Sequence, residues 1–295
     1  MRWHGRYGYS AITRRPDYSW PRSRRLAVYV GFNIEHFDFG GGLGAALGPK
    51  NPEPDVLNYT WRDYGNRVGV WRCLELFHQL NIRVAALVNT SLYDHCPEVV
   101  EAFAKRGDEL IGHGHTNSVR QGDMQEADEK RLLQYCRDRI RRESGVAVTG
   151  WLSPWISESA VTPDLLVEAG YRYTLNWCHD DQPTEMKTRS GKLWSVPYPQ
   201  ELNDIPMIMA RHMDARDFAE VIIDNFDEML EQSHAQPLVM GIALHPYIVG
   251  QPYRLRHLRR ALEHMHREKR VWWTTPGAIC DWVSEKSGTD PDFFS

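Results

Sequence analysis

Short apolar runs alternate with longer amphipathic stretches along most of the chain. The run Leu26–Phe32 is rich in β-branched and aromatic residues and ends abruptly in polar and acidic ones, which is typical of a buried strand followed by a functional loop. Further strands are predicted at IRVAALVN, DELIGHGH, VTGWLSP, YRYTLNW, PLVMGIALH and VWW, and helices near Val68–Leu80, Pro97–Lys105, Glu126–Glu143, Thr162–Gly170, Ala215–Ser233 and Leu255–Arg267, with a last helix after the final strand. This alternation, which shows no internal repeat, predicts an α/β fold with a parallel barrel or an open sheet.

Two stretches interrupt the alternation. Gly40–Asn58 contains too many Gly, Pro and Asn residues for regular structure, so we expect either an active-site loop or partial disorder there. Gln182–Pro206 is rich in proline and carries no clear period. Between them, Thr162 and Pro163 predict a helix start, with Thr162 as the N-cap and Pro163 at the first helical position.

Composition and charge exclude several classes of protein. With 295 residues and 42% hydrophobic content, the chain can bury a large core, and we expect one catalytic domain over residues 1–295 with an N-terminal extension of about 1–24. The 35 basic and 39 acidic residues give a net charge of -4 and no extended basic surface, which argues against nucleic acid as a partner. No apolar run reaches the roughly 18 residues of a membrane span, and the start MRWHGRYGYS lacks the apolar core of a signal peptide. We therefore expect a cytoplasmic protein with five reduced cysteines and no membrane partner.

Seven polar residues lie at or just beyond the carboxyl ends of predicted strands. They are Glu35, His36, His113, Asn117, Asp180, Asp181 and His245. Parallel α/β folds place their chemistry at this edge of the sheet, so we expect the seven side chains near one mouth.

The first two clusters of these residues, Glu35 with His36 and His113 with Asn117, contain side chains that can bind a metal ion. Glu35 and His36 are adjacent, and they belong either to a functional loop or to a solvated one. His113 and Asn117 are four residues apart, which on a helix brings two ligands to one cation. The imidazoles of His36, His113 and His115 are enough for a metal site, although His115 can equally hydrogen-bond the rim of the barrel.

The later clusters suit proton transfer and positioning. His245 closes an apolar strand just before Pro246, and an imidazole held there suits delivery of a proton to a leaving group. The alternative is a buried, hydrogen-bonded histidine without a catalytic role. Asp180 and Asp181, next to His179, can orient an imidazole, bind substrate nitrogens or cap the next element, and orientation or capping is favoured over catalysis.

Aromatic and thiol side chains near the same strand ends have two interpretations each. Trp155 and Trp177 can form the wall of a pocket for a flat substrate, but a chain with 11 tryptophans must bury many of them in its core. Cys178 can act as a nucleophile, although packing is the commoner role of such a residue.

In this order, the segments resemble the polysaccharide deacetylase superfamily, whose fold is a distorted (β/α) barrel. The resemblance covers roughly Arg24–Val283 and rests on five short motifs, among them FNIEHFD, IGHGHTN, LSPW and LH. It implies that Glu35 stands at the position of the catalytic base, that His36 and His113 stand at positions of metal ligands, and that His245 is the general acid.

Three departures from the family pattern affect the metal. Glu35 and His36 replace the two aspartates of the first motif, Asn117 replaces the second metal-binding histidine, and the arginine that precedes x-Pro-aromatic is absent before Trp155. The resemblance thus implies a zinc site of His36, His113 and Asn117 that binds more weakly, or a site that works without metal.

The segments YGNRVGVWR, GHGHTN and HPYIVGQPYR resemble a divergent branch with allantoinase-like and cyclic imide hydrolase (imidase) proteins. This resemblance implies a homo-oligomer, a tetramer, that acts on small ring amides.

These observations predict a hydrolase of non-peptide carbon–nitrogen bonds that opens a small cyclic imide or amide. Glu35 takes a proton from water and His245 protonates the departing nitrogen, which predicts a bell-shaped dependence of rate on pH. Substrate contacts are expected from Asn117, Trp155, Trp177, Asp180 and Asp181. Two alternatives remain: N-deacetylation of a polysaccharide or chitooligosaccharide, and a non-catalytic barrel that binds carbohydrate or a small molecule.

Overall fold

A computed structural model describes residues 4–289, without the side chain of residue 289. Over these residues, nine strands form a single curled sheet in the order β6-β7-β5-β4-β3-β2-β1-β8, and β9 pairs with β1. The strands are β1 (Leu26–Ile34), β2 (Ala85–Val88), β3 (Glu109–Gly112), β4 (Gly150–Trp151), β5 (Tyr173–Thr174), β6 (Thr184–Thr188), β7 (Gly191–Ser195), β8 (Leu238–Leu244) and β9 (Val271–Trp273). The predicted α/β barrel-like architecture is confirmed.

The central strand of the sheet is β1. It pairs in parallel with β8 along one side, while β9 and β2 share its other side. All nine of its positions are buried. Its alternate side chains pack into two apolar clusters: Val28 lies on the side of the helices, and Tyr29 lies in the smaller cluster on the other face. Burial on both faces explains why β1 is a continuous apolar run.

Most α-helices cover the outer face of the sheet, α10 packs against the smaller cluster on the other face, and each predicted helix is present. Within the described residues they are α1 (Val56–Tyr64), α2 (Val70–Gln79), α3 (Leu92–His95), α4 (Pro97–Arg106), α5 (Glu126–Ser144), α6 (Thr162–Glu168), α7 (Ala215–Gln232), α8 (Pro246–Val249), α9 (Pro252–Arg267) and α10 (Pro276–Thr289). No helix in this part of the chain is long and apolar enough to cross a membrane.

The barrel does not close by a regular strand pair. β6 and β8 are the two edges of the sheet, and only β6 and β7 pair antiparallel, as a hairpin. The gap is spanned by backbone contacts: Ala243 N–H donates to the Leu202 carbonyl at 2.9 Å, and Val239 N–H donates to the Asp181 carbonyl at 2.8 Å. This makes the barrel a distorted one.

Three local predictions differ from the structure. The helix α1 begins inside the stretch predicted to lack regular structure, because Asp55 caps it by accepting a hydrogen bond from Asn58 N–H. The β6–β7 hairpin lies in the proline-rich stretch. The N-cap assignment of Thr162 was wrong: Thr162 is already in α6, and its hydroxyl accepts from Ser159 N–H and donates to Glu129.

Candidate active site

Three functional side chains converge at the carboxyl edge of the sheet. Glu35 follows β1, His113 follows β3 and His245 follows β8. Glu35 Oε1 lies 3.5 Å from His113 Nε2 and 3.5 Å from His245 Nε2. Each of the three is at most 5% exposed. A buried carboxylate between two imidazoles is an arrangement built for proton transfer.

Glu35 is held as an ionised carboxylate. Its Oε2 accepts a hydrogen bond from the Tyr247 hydroxyl at 2.6 Å, and its backbone carbonyl accepts one from Asn66 at 2.8 Å. Burial alone raises the pKa of Glu35, but the positive charge of His245 and the contacts with both imidazoles lower the pKa well below its ordinary value. The carboxylate is therefore ionised at neutral pH, which is the form that can act as a general base.

His245 is held as a proton donor by Asp204. The imidazole Nδ1–H donates to Asp204 Oδ1 at 2.6 Å, and the backbone N–H of His245 donates to the other carboxylate oxygen at 2.8 Å. Burial by itself lowers the pKa of His245, but the carboxylates of Asp204 and Glu35 outweigh it and raise the pKa to about 10. The protonated Nε2 faces Glu35 and the cavity.

A hydrogen bond to the backbone holds the His113 ring in one orientation. Its Nδ1–H donates to the Leu152 carbonyl at 2.7 Å, and its Nε2 lies 3.5 Å from Glu35 Oε1. This Nε2 is buried and has no hydrogen-bond partner among the described residues. The tight turn depends on Gly114, whose φ is +72° and whose Cβ, if present, would lie 2.6 Å from Pro154.

Asn117 is the fourth polar group of the site. Its backbone N–H donates to the His36 carbonyl, and its backbone carbonyl accepts from Trp155 Nε1, both at 2.8 Å. Its side-chain Oδ1 is buried without a partner in the described chain. Trp155 itself has φ +63°, a left-handed conformation that is uncommon for residues other than glycine.

These residues line a cavity of about 300 Å³, the Glu35 cavity. No lysine or arginine of the described chain lines it, and the raised pKa of His245 makes that imidazole a positively charged group in the cavity. Its wall is largely apolar, formed by Ala45, Leu152, Trp155, Ile156, Ile205, Pro206 and Ala210. Ala45 belongs to the glycine-rich stretch, which supports its interpretation as an active-site loop. Such a cavity suits a small, neutral, flat ligand.

The predicted zinc ligands do not come together. His113 and Asn117 line the Glu35 cavity, but the His36 ring stacks on His95 with ring centroids 4.1 Å apart and hydrogen-bonds Ser91. Burial, reinforced by His95, lowers the pKa of His36 to about 4, so the ring is neutral. In the described residues, no group of three His, Cys, Asp or Glu side chains could hold a metal. One imidazole and one amide oxygen do not fit the three protein ligands of a catalytic zinc.

The remaining predicted residues do not line the Glu35 cavity: Cys178, Asp180 and Asp181 line a different cavity, and Trp177 lines neither. Asp180 and Asp181 line a second cavity of about 470 Å³, the Cys178 cavity, together with Cys178 itself. Asp180 forms an ion pair with Arg15 at 2.6 Å and accepts from the backbone of the second residue after it, as a capping side chain does. Trp177 donates its indole N–H to Glu158 and does not line the Glu35 cavity.

Sequence reasoning missed several residues that support the site. Asp204 lies in the proline-rich stretch, far along the chain from His245, and no spacing rule connects the two. Tyr247 was detectable, because the segment HPY places it two residues after His245. Asn89, just after β2, accepts from His36 N–H at 2.8 Å and donates to the His113 carbonyl, which ties the ends of β1 and β3 together.

The comparisons with known proteins agree with this fold. No family model matches the chain. A crystal structure of a probable polysaccharide deacetylase from Pseudomonas aeruginosa superimposes with a TM-score of 0.81 at 23% identity, covering 90% of this chain and 93% of the other. The fold is that of the polysaccharide deacetylases. The structure of Puue allantoinase superimposes with a TM-score of 0.79 at 24% identity, covering 97% and 99% of the two chains. In sequence, the chain is 23% identical to a peptidoglycan deacetylase of Helicobacter pylori, over 86% of this chain and 95% of the relative.

Proposed function

We propose that this protein is an amide hydrolase that opens the ring of a small cyclic imide or amide. The observation that carries the proposal is the Glu35 carboxylate, buried and 3.5 Å from both His113 and His245. The names of the relatives, deacetylases and an allantoinase, support hydrolysis of a carbon–nitrogen bond as the shared chemistry.

The proposed reaction uses two proton transfers. Glu35 takes a proton from a water molecule as its oxygen attacks the ring carbonyl, and Nε2 of His113, 3.5 Å from Glu35 Oε1, lies beside that water. His245 gives its Nε2 proton to the ring nitrogen as the carbon–nitrogen bond breaks. Asp204 keeps His245 protonated and oriented until that step.

Zinc is not required by this scheme. His36 of the predicted ligand set points to His95 and Ser91, and the remaining His113 and Asn117 do not make a three-ligand site. In this scheme, the proton transfers and the charge changes that accompany them involve only side chains of the protein.

The second candidate is N-deacetylation of an amino sugar, which the name of the Helicobacter pylori relative favours. The wall of the Glu35 cavity weighs against it, because the apolar part of that wall, which includes Leu152, Ile156 and Ile205, offers no hydrogen-bond partner to the hydroxyl groups of a sugar. A non-catalytic binding barrel is disfavoured by the buried Glu35–His245–Asp204 arrangement, which binding alone does not need.

A turnover screen tests the proposal. We expect hydrolysis of at least one of succinimide, hydantoin and allantoin, and none of acetylated chitooligosaccharides. Release of acetate from the oligosaccharides without ring opening would replace the proposed function by the second candidate. No turnover of any substrate would favour the binding barrel. Light scattering on the same sample tests the proposed tetramer.

A further inference from the structure

In the described chain, the Asn117 carboxamide lines the Glu35 cavity and, unlike Glu35, His113 and His245, has no part in the proposed proton transfers. The residue is 4% exposed, and its backbone is fixed on both sides by His36 and Trp155. No hydrogen bond of its side chain is formed within the described residues, and its buried Oδ1 lacks a partner. Leaving a buried amide unpaired is costly, so the group is set up for a ligand.

The other carboxamides around the cavity are already engaged. Asn33 donates to Tyr198 and to the Leu244 carbonyl, Asn203 accepts from Ile205 N–H, and Gln200 donates to the Pro199 carbonyl. They support the wall of the cavity. Asn117 therefore differs from them in function as well as in hydrogen bonding.

A carboxamide presents an acceptor and a donor side by side. It matches a partner whose carbonyl and N–H also lie side by side, by two parallel hydrogen bonds, as Asn pairs with an adenine edge. An amide within a five- or six-membered ring is cis and has such an edge. An open-chain secondary amide is trans, so its carbonyl and N–H point in opposite directions.

We propose that Asn117 recognises the cis-amide edge of a ring substrate, accepting from the ring N–H and donating to the carbonyl that is not attacked. This rests on the proposed function and names its substrate class: neutral cyclic imides and ureides with an unsubstituted ring N–H. The other carbonyl of the ring is left for the water activated by Glu35. Open-chain acetamido groups of sugars fail to form the pair, which gives the selection for rings a physical basis.

The test compares succinimide with N-methylsuccinimide, which lacks the N–H but keeps the ring. We expect kcat/KM of the unmodified protein to fall about 50-fold on methylation, because one hydrogen bond is lost and a buried acceptor is left unpaired. In Asn117→Leu, which is close in size, activity on succinimide should fall and the ratio between the two substrates should shrink to about threefold. In the control Gln200→Leu, the 50-fold ratio should remain.

Two readouts separate this inference from the proposed function. Equal hydrolysis of both imides by the unmodified protein, or an unchanged ratio in Asn117→Leu, overturns the role of Asn117 while ring opening stands. Calorimetric binding of the two imides to Glu35→Gln needs no turnover. If the unmodified protein opens no ring but this variant binds succinimide far better than N-methylsuccinimide, ring opening is overturned and recognition by Asn117 is supported. If it binds both equally, recognition by Asn117 is overturned.

Discussion

The Glu35 cavity and the Cys178 cavity both lie where strands end, and each is lined by carboxylate and imidazole side chains. The Cys178 cavity is the larger, at about 470 Å³ against about 300 Å³. Its Cys178 and His179 are exposed, and its Asp180 is neutralised by Arg15. In the Glu35 cavity, by contrast, the carboxylate is buried and faces two imidazoles.

The difference shows that volume and residue types do not make a catalytic site by themselves. Asp204 is fully buried and acts on His245 through two hydrogen bonds, and this keeps a proton on the imidazole next to a second carboxylate. Within the described residues, the His179 ring instead stacks on Tyr7 and hydrogen-bonds the Thr184 hydroxyl at 3.2 Å.

The largest effect is expected from Glu35→Gln. Loss of the base should lower kcat for ring opening about a thousandfold, because the amide cannot accept a proton from water. Asp181→Asn in the Cys178 cavity is the matched control and should leave kcat within about twofold. Steady-state kinetics of both variants measure this, and a kcat of Glu35→Gln within threefold of the unmodified protein removes Glu35 as the base.

Asp204→Asn should change the pH profile as well as the rate. His245 must be protonated to act as the acid, so kcat/KM should stay level through neutral pH and fall above about pH 10. Removing the Asp204 carboxylate lowers the pKa of His245, and the basic limb moves to lower pH, with about a hundredfold loss of kcat. Asp180→Asn, which frees Arg15, should not move the limb. A basic limb that stays in place in Asp204→Asn contradicts the assignment of the acid.

Tyr247→Phe should have a smaller effect. The variant removes the 2.6 Å hydrogen bond to Glu35 Oε2 and keeps the ring, so the carboxylate remains but is less well positioned. We expect kcat to fall about tenfold with KM little changed. An unchanged kcat would show that Asn66 and the two imidazoles position Glu35 on their own.

Chelation should have the smallest effect. Because His36 lies away from His113 and Asn117, we expect substoichiometric zinc in the purified protein and turnover within about twofold after treatment with a chelator. Elemental analysis and succinimide hydrolysis measure both. Stoichiometric zinc, with activity lost on chelation and restored by the metal, would show that His36 turns into the cavity.

The sequence predicted what depends on local pattern. The apolar run of β1 and the polar residues that follow each strand were enough for the fold and for bringing Glu35, His113 and His245 to one edge. The direction of the His36 ring was not predictable, since it depends on His95 and Ser91, which follow β2. Asp204 was missed for the same reason: it reaches His245 only across the gap in the barrel.

That gap has a consequence for folding. Leu202 pairs with Ala243 across it, and Asp204 and His245 lie two residues beyond these partners, so the acid is assembled by the same contacts that join the two edges of the sheet. Enzymatic activity is therefore a reporter of barrel closure. A mild concentration of denaturant that breaks these contacts across the gap should abolish turnover while the circular dichroism of the helices is still that of the native protein.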